Sequence, residues 1–124
     1  MSLETAENSE QTLIPIVEEA SRELVIPGAS PVRLQTLDVA RHSAPAPNGK
    51  RYVVATFNDQ RMGRGYITAI YPQQGGYLTL IRLVLAEASS KTVDEAVQKH
   101  TDFIQKIQQG KLAQLLQSLL GEGE

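Results

Sequence analysis

The sequence contains no cysteine. That excludes disulfides, thiolate nucleophiles and Cys-ligated zinc or iron–sulfur centres, and it suits a reducing compartment. No apolar run approaches the roughly 20 residues that a membrane-spanning helix needs. The first residues lack a basic patch followed by an apolar stretch, so no secretory leader is expected and the reading is a cytoplasmic protein with no membrane association. Charge of one sign is also missing: 12 Lys and Arg against 14 Asp and Glu leave a net charge of −2, which gives no global attraction to nucleic acid or anionic lipid.

Residues for catalysis are equally sparse. There are two histidines, His42 and His100, and neither stands in an HxxxH or HxxE spacing that would hold a metal. No serine sits in a nucleophile elbow. The glycine cluster Met62–Gly65 lacks the spacing of a phosphate-binding loop, and no helix follows it directly to offer N–H groups to an anion. The carboxylates make no informative pair. Asp94 and Glu95 are explained by a helix start, and Asp59 by a turn. No catalytic residue, cofactor or metal is therefore expected.

What is present describes one small domain. A chain of 124 residues with 41% hydrophobic residues can bury an ordinary core in a single unit. Residues 1–11 are polar and acidic and read as a flexible lead. Residues 12–120 read as one α+β domain, and 121–124 as a flexible tail. Leu13, Ile16, Val17, Ala20 and Leu24 recur at helical spacing, with Pro27-Gly28 as the stop.

A first, weakly alternating strand is expected over 31–39, followed by a loop over 43–49 with a tight turn at Asn48-Gly49. Strands are expected over 51–57, 65–71 and 77–87, rich in β-branched and aromatic residues and joined by short loops. The expected fold is thus an antiparallel β-meander of about four strands. An N-terminal helix and a C-terminal helix pair pack on the sheet. Thr92-x-x-Glu95 is a capping-box signature, and Val93, Ala96, Val97, His100, Phe103, Ile104 and Ile107 share one helical face. Gly110 interrupts the pattern. A second stripe of Leu112, Leu115, Leu116, Leu119 and Leu120 follows with its phase shifted, which predicts two helices facing different surfaces.

Association is the strongest functional hint. On the 77–87 strand one face is Tyr77, Thr79, Ile81, Leu83 and Leu85, and the other face is also mostly apolar. A meander with one wet face would alternate cleanly, so the sheet is expected to be covered on both sides, by helices or by a partner. The terminal leucine stripe either caps the monomer core or binds a partner helix.

The leading expectation is a non-catalytic protein-interaction module, such as an adaptor, assembly factor or small chaperone, forming a homodimer or binding another protein. Its candidate partner-binding residues are Leu112, Leu115, Leu116, Leu119, Tyr77 and Ile81. The alternative is a single-stranded nucleic-acid-binding domain using Lys50, Arg51, Tyr52, Arg61, Arg64 and Tyr66 on one sheet face, where charge combines with base stacking. The negative net charge disfavours it. A second alternative is a small enzyme or ligand carrier with a pocket between sheet and helices, using His100, His42 or Tyr77. His100 on an apolar helix face reads more simply as a buried, hydrogen-bonded ring, and His42 as a solvated loop end.

Overall fold

The computed structural model describes residues 24–74, 77–78 and 84–122. The expected helix over 13–24 and the candidate Ile81 lie outside the described residues, apart from Leu24, which is not helical. The elements are β1 (Ser30–Pro31), β2 (Asp38–Pro45), β3 (Arg51–Asn58), a single 3-10 turn (Gln60–Met62), β4 (Tyr66–Gln74), β5 (Tyr77–Leu78), β6 (Ala86–Ser90), α1 (Val93–Gln108) and α2 (Leu112–Glu122). Every strand pairing is antiparallel. The strands run in sequence order across the sheet, and β5 and β6 both pair with β4, so the segments occupy five positions of one meander. Among the described residues, no helix is long and apolar enough to cross a membrane.

The strand expected over 31–39 is replaced by the two-residue β1 and by β2, which continues to Pro45 through part of the expected loop. Small residues explain this: Ala40, Ser43 and Ala44 are all buried within the sheet. Pro45 ends the strand harmlessly. Ala46 N–H donates to the Lys50 carbonyl, so even-numbered β2 residues bond β3. The missing N–H of Pro45 therefore points to the other side, beyond the end of β1. Leu37 enters β2 with φ 76°, a left-handed turn that leucine adopts only at a cost.

The long 77–87 strand is likewise divided. Gln73 pairs with Leu78, while Ile70 pairs with Ala86. Between those two pairs β4 has residues 71–72, whereas the opposing chain has residues 79–85. A segment that is apolar on both faces specifies its register weakly, which is why alternation alone misplaces it.

Both helices cover the sheet face carrying the even-numbered residues of β2, β3 and β4. Ala44, Val54, Ile70, Phe103, Ile104, Ile107 and Leu115 form the core, with Leu112 and Leu119 packed against it. The predicted divergence of the two helical stripes is therefore corrected. The phase argument assumed a straight continuation through Gly110, whereas Gly110 adopts φ 77° and turns the chain. Its N–H donates to the Ile107 carbonyl and that of Lys111 to the Lys106 carbonyl, a Schellman closure that brings α2 back onto the same core. The opposite face is buried too, at Val53, Ala55, Ile67 and Ala69. It also holds an ion pair between Arg41 and Asp38 at 2.8 Å, with both side chains almost fully enclosed.

Candidate functional site

Polar groups gather in a chain of side chains inside the core and along the outer edge of β6.

The inner chain starts on β2. Ala40, His42 and Ala44 project toward α1, and the small flanking residues leave room for an imidazole. His42 is 1% exposed, so the expectation of a solvated loop end is overturned: the strand continues through it and the helices close over it. His42 Nδ1 lies 2.9 Å from Nε2 of His100, and His42 Nε2 lies 3.1 Å from the Leu24 carbonyl oxygen. Thr56 Oγ1 is 2.9 Å from His100 Nδ1 and 2.8 Å from Thr68 Oγ1. His100, Thr56 and Thr68 are each fully buried.

The carbonyl at one end sets the direction of every proton. Leu24 oxygen can only accept, so His42 carries its proton on Nε2 and accepts at Nδ1. His100 must then donate from Nε2 and accept at Nδ1. Thr56 donates to that nitrogen and accepts from Thr68. One pair of neutral tautomers satisfies the whole series. Burial lowers the His42 pKa, partly opposed by its bond to Leu24. Burial, then the neighbouring His42, lowers His100 to about 3. Both rings are neutral at physiological pH, and each nitrogen is engaged. This matches the expectation of a buried, partnered His100.

The second place is an open groove of about 810 Å³ lined by Arg64, Gly65, Glu87, Ser89, Ser90 and Lys91, among others. Tertiary structure brings the Met62–Gly65 loop beside the start of α1. Gly63 and Gly65 adopt φ 78° and 72°, as a tight turn requires. A Cβ on Gly65 would stand 2.5 Å from the Ser90 carbonyl oxygen. The helix start is already served: Thr92 Oγ1 accepts from Glu95 N–H, and a Glu95 carboxylate oxygen accepts from Lys91 N–H. Arg64 donates to Asp59 at 2.5 Å and to Glu87 at 3.3 Å, which raises its pKa, chiefly through Asp59. The Arg64 guanidinium is thus balanced by two carboxylates. Ser90 Oγ is buried with no hydrogen-bond partner among the described residues.

β6 forms the rim of this groove, and its hydrogen-bonding sides follow from the register. Asp59 N–H donates to the Gly65 carbonyl, so odd-numbered β4 residues bond β3 and even-numbered ones bond β6. Because Thr68 pairs with Ala88 and Tyr66 with Ser90, the main-chain groups of Ala88 and Ser90 point inward. Those of Glu87 and Ser89 point outward, where no described strand pairs with them. The Lys99 ammonium donates to the Ser89 carbonyl at 3.0 Å, on that outer side.

The other sequence candidates fall elsewhere. Lys50 and Arg51 lie at one end of β3, and Arg61, Arg64 and Tyr66 at the other, ~24 Å away at about 3.4 Å per residue. Lys50 and Arg51 do not stand across from Arg64–Tyr66, since Arg51 pairs with Gln73 and Tyr66 with Asn58. Antiparallel pairing places the start of one strand against the end of the next. Arg51 also donates to Ser43 Oγ, while Tyr52, its neighbour in sequence, packs on the core from the opposite face. Leu115 is buried in the chain's own core, and the partly buried Leu112 and Leu119 pack against it. Leu116 is half-buried and Leu120 is 71% exposed. Tyr77 lies in β5. Among the described residues, no group of three or more His, Asp or Glu side chains is placed to hold a metal.

Sequence reading missed both the pairing of His42 with His100 and the outer edge of β6. The first left one faint signal, the small–His–small alternation of residues 40–44. The second left none, since edge position depends on which strands stop pairing. No protein-family model, curated protein or solved structure matches the chain.

Proposed function

We propose that this chain is a non-catalytic protein-interaction module that docks an extended segment along β6. The observation carrying this reading is the outward row of main-chain groups on Glu87 and Ser89, unpaired by any described strand. An added strand gains affinity from exactly such groups and selectivity from the side chains beside them. Arg64, Glu87 and Lys91 stand on the adjoining groove and supply that selectivity. The histidine chain supports the same reading from inside, since its rings are closed off from any substrate. Adaptor, assembly factor and small chaperone are the roles such an edge serves.

The test is selection of extended peptides from a displayed random library, on the unmodified protein and on Ser89→Pro. Proline at 89 removes an outward N–H and leaves the inward bonds of Ala88 and Ser90 to β4 intact. Enrichment on the unmodified protein that disappears with Ser89→Pro, at unchanged circular dichroism, is the expected result. Equal enrichment on both proteins places binding elsewhere and sinks the proposal.

A further inference from the structure

We infer that the segment docking on β6 is β6 of a second copy, running antiparallel about a two-fold axis at Ala88. This rests on the reading of β6 as the docking edge and names its occupant.

The first argument is register. A two-fold contact must be complementary to itself. With the axis at Ala88, Glu87 faces the second copy's Ser89, and Ser89 faces its Glu87. These are the two residues whose main-chain groups point outward, so each facing pair exchanges both hydrogen bonds. Moving the axis to Glu87 would set like carboxylates directly opposite, which is destabilising. Moving it to Ser89 would require the N–H of Lys91, already held by the Glu95 carboxylate. The Ala88 axis alone uses the two outward donors that no hydrogen bond engages among the described residues.

The second argument is bulk. Across this axis the side chains meeting on the helix-covered face are Ala88 against Ala88, and Ala86 against Ser90. Nothing large keeps the strands apart. On the other face Glu87 meets a serine, and its own Arg64 already balances its charge.

The third argument is the helix above the edge. α1 lies across β2, β3 and β4 and reaches β6, and α2 packs over β6 and against α1. Both helices therefore stand above the edge that a second copy would meet, α1 through Lys99 and α2 through its outer face. Outside its core-facing residues α2 carries Ala113, Leu116 and Leu120 at helical spacing, with Leu120 71% exposed. The same two-fold axis that joins the strands sets this stripe against its counterpart and removes it from water.

Lys99 opposes the contact in the isolated chain. Its ammonium occupies the Ser89 carbonyl that the second copy's Glu87 N–H would take. Lysine on an edge is a common guard against strand addition. Here it must swing away on dimerisation, so its removal should tighten the dimer.

Sedimentation equilibrium of the full chain across a dilution series tests this, with four single variants. The unmodified protein is expected to dimerise reversibly. Ser89→Pro and Leu120→Glu should each weaken the dimer by about tenfold or more, since each strikes a central contact. Lys99→Met should strengthen it. Ala88→Cys should cross-link to completion under mild oxidation, because facing residues of a non-hydrogen-bonded pair approach within about 5 Å. The native chain has no cysteine to confuse the readout. Circular dichroism checks that each variant is folded, and Leu120→Glu stands in if Ser89→Pro is not. Monomers at all concentrations for both the unmodified protein and Lys99→Met, or a dimer indifferent to Ser89→Pro and Leu120→Glu, overturns the inference. If the protein is monomeric yet selects extended peptides in a Ser89→Pro-sensitive way, the docking edge stands and only its occupant is wrong. If neither occurs, both fall.

Discussion

The interior of the sheet and its β6 edge handle polar groups in opposite ways. Inside, His42, His100, Thr56 and Thr68 form a series in which each ring nitrogen has a partner and the tautomers follow from one carbonyl. At the edge, Glu87 and Ser89 point main-chain groups away from the sheet, and among the described residues the Ser89 carbonyl is held by the half-buried Lys99. A satisfied buried network rigidifies a core and is costly to disturb. Unpaired edge groups contribute nothing to the isolated fold and are open to a partner. The difference separates residues that hold the protein together from residues that let it act, and perturbations should divide the same way.

The largest expected effect is on the inner chain. His100→Leu leaves the His42 Nδ1 acceptor and the Thr56 hydroxyl facing an apolar group, and should cost about 3 kcal/mol or more. Urea unfolding monitored by circular dichroism measures it. A loss below about 1 kcal/mol, within the range of one ordinary hydrogen bond, would show the chain to be ornamental to stability.

Acid should act on the same groups. Both histidines have folded pKa values below the ordinary 6.5, His100 at about 3. The unfolded chain therefore binds more protons than the folded one as pH falls below 6.5. Stability from this source is whole above pH 6.5 and is lost progressively toward pH 3. For His100 alone, the loss at pH 4.5 is about 2–3 kcal/mol at 1.36 kcal/mol per unit. Denaturation midpoints from pH 7.5 to 4.5 test the sign. In a Thr56→Val, His100→Leu background the slope over this range should shrink, and an unchanged slope would assign it to other groups.

Gly65→Ala tests the scaffold that holds the edge. It forces an alanine into φ 72° and sets its Cβ against the Ser90 carbonyl, so a loss of about 2–3 kcal/mol is expected. Leu37→Gly runs the other way: relieving a left-handed leucine should gain about 1 kcal/mol, offset in part by the greater freedom of glycine in the unfolded chain. Thermal unfolding reports both. The smallest stability change belongs to Ser89→Pro, expected within about 0.5 kcal/mol of the unmodified protein although it abolishes docking. Were it to unfold the protein, the edge would belong with the interior after all.

Much of the local architecture is legible without coordinates. The Thr92–Glu95 cap predicts the start of α1, and Thr92 Oγ1 accepts from the Glu95 N–H as the motif implies, while the Glu95 carboxylate takes the N–H of Lys91. Gly110 marks the break between the helices. The strand over 51–57 matches β3 to within a residue and that over 65–71 starts within a residue of β4, which runs three residues further to Gln74, because β-branched runs bounded by turns leave little alternative. The 31–39 and 77–87 strands fail for physical reasons. In β2, alanine, serine and proline carry no strand preference, and burial rather than propensity keeps the segment extended. In the segment beginning at Tyr77, apolar residues on both faces remove the alternation that would pin its register.

The functional features follow the same divide. Composition is enough to exclude thiol and cysteine–metal chemistry, and periodicity is enough to find a helix face with His100 on it. That His42 meets His100 across 58 positions depends on α1 folding over β2, which no local pattern encodes. The basic and aromatic residues near 50–66 look clustered along the chain, yet antiparallel pairing carries them to opposite ends of β3. Spacing along one element follows from the residues within it, since caps, turns and periodicity are short-range effects. Which groups end up paired, buried or left on an edge is decided by long-range contacts, where packing of distant segments overrides the preferences of each.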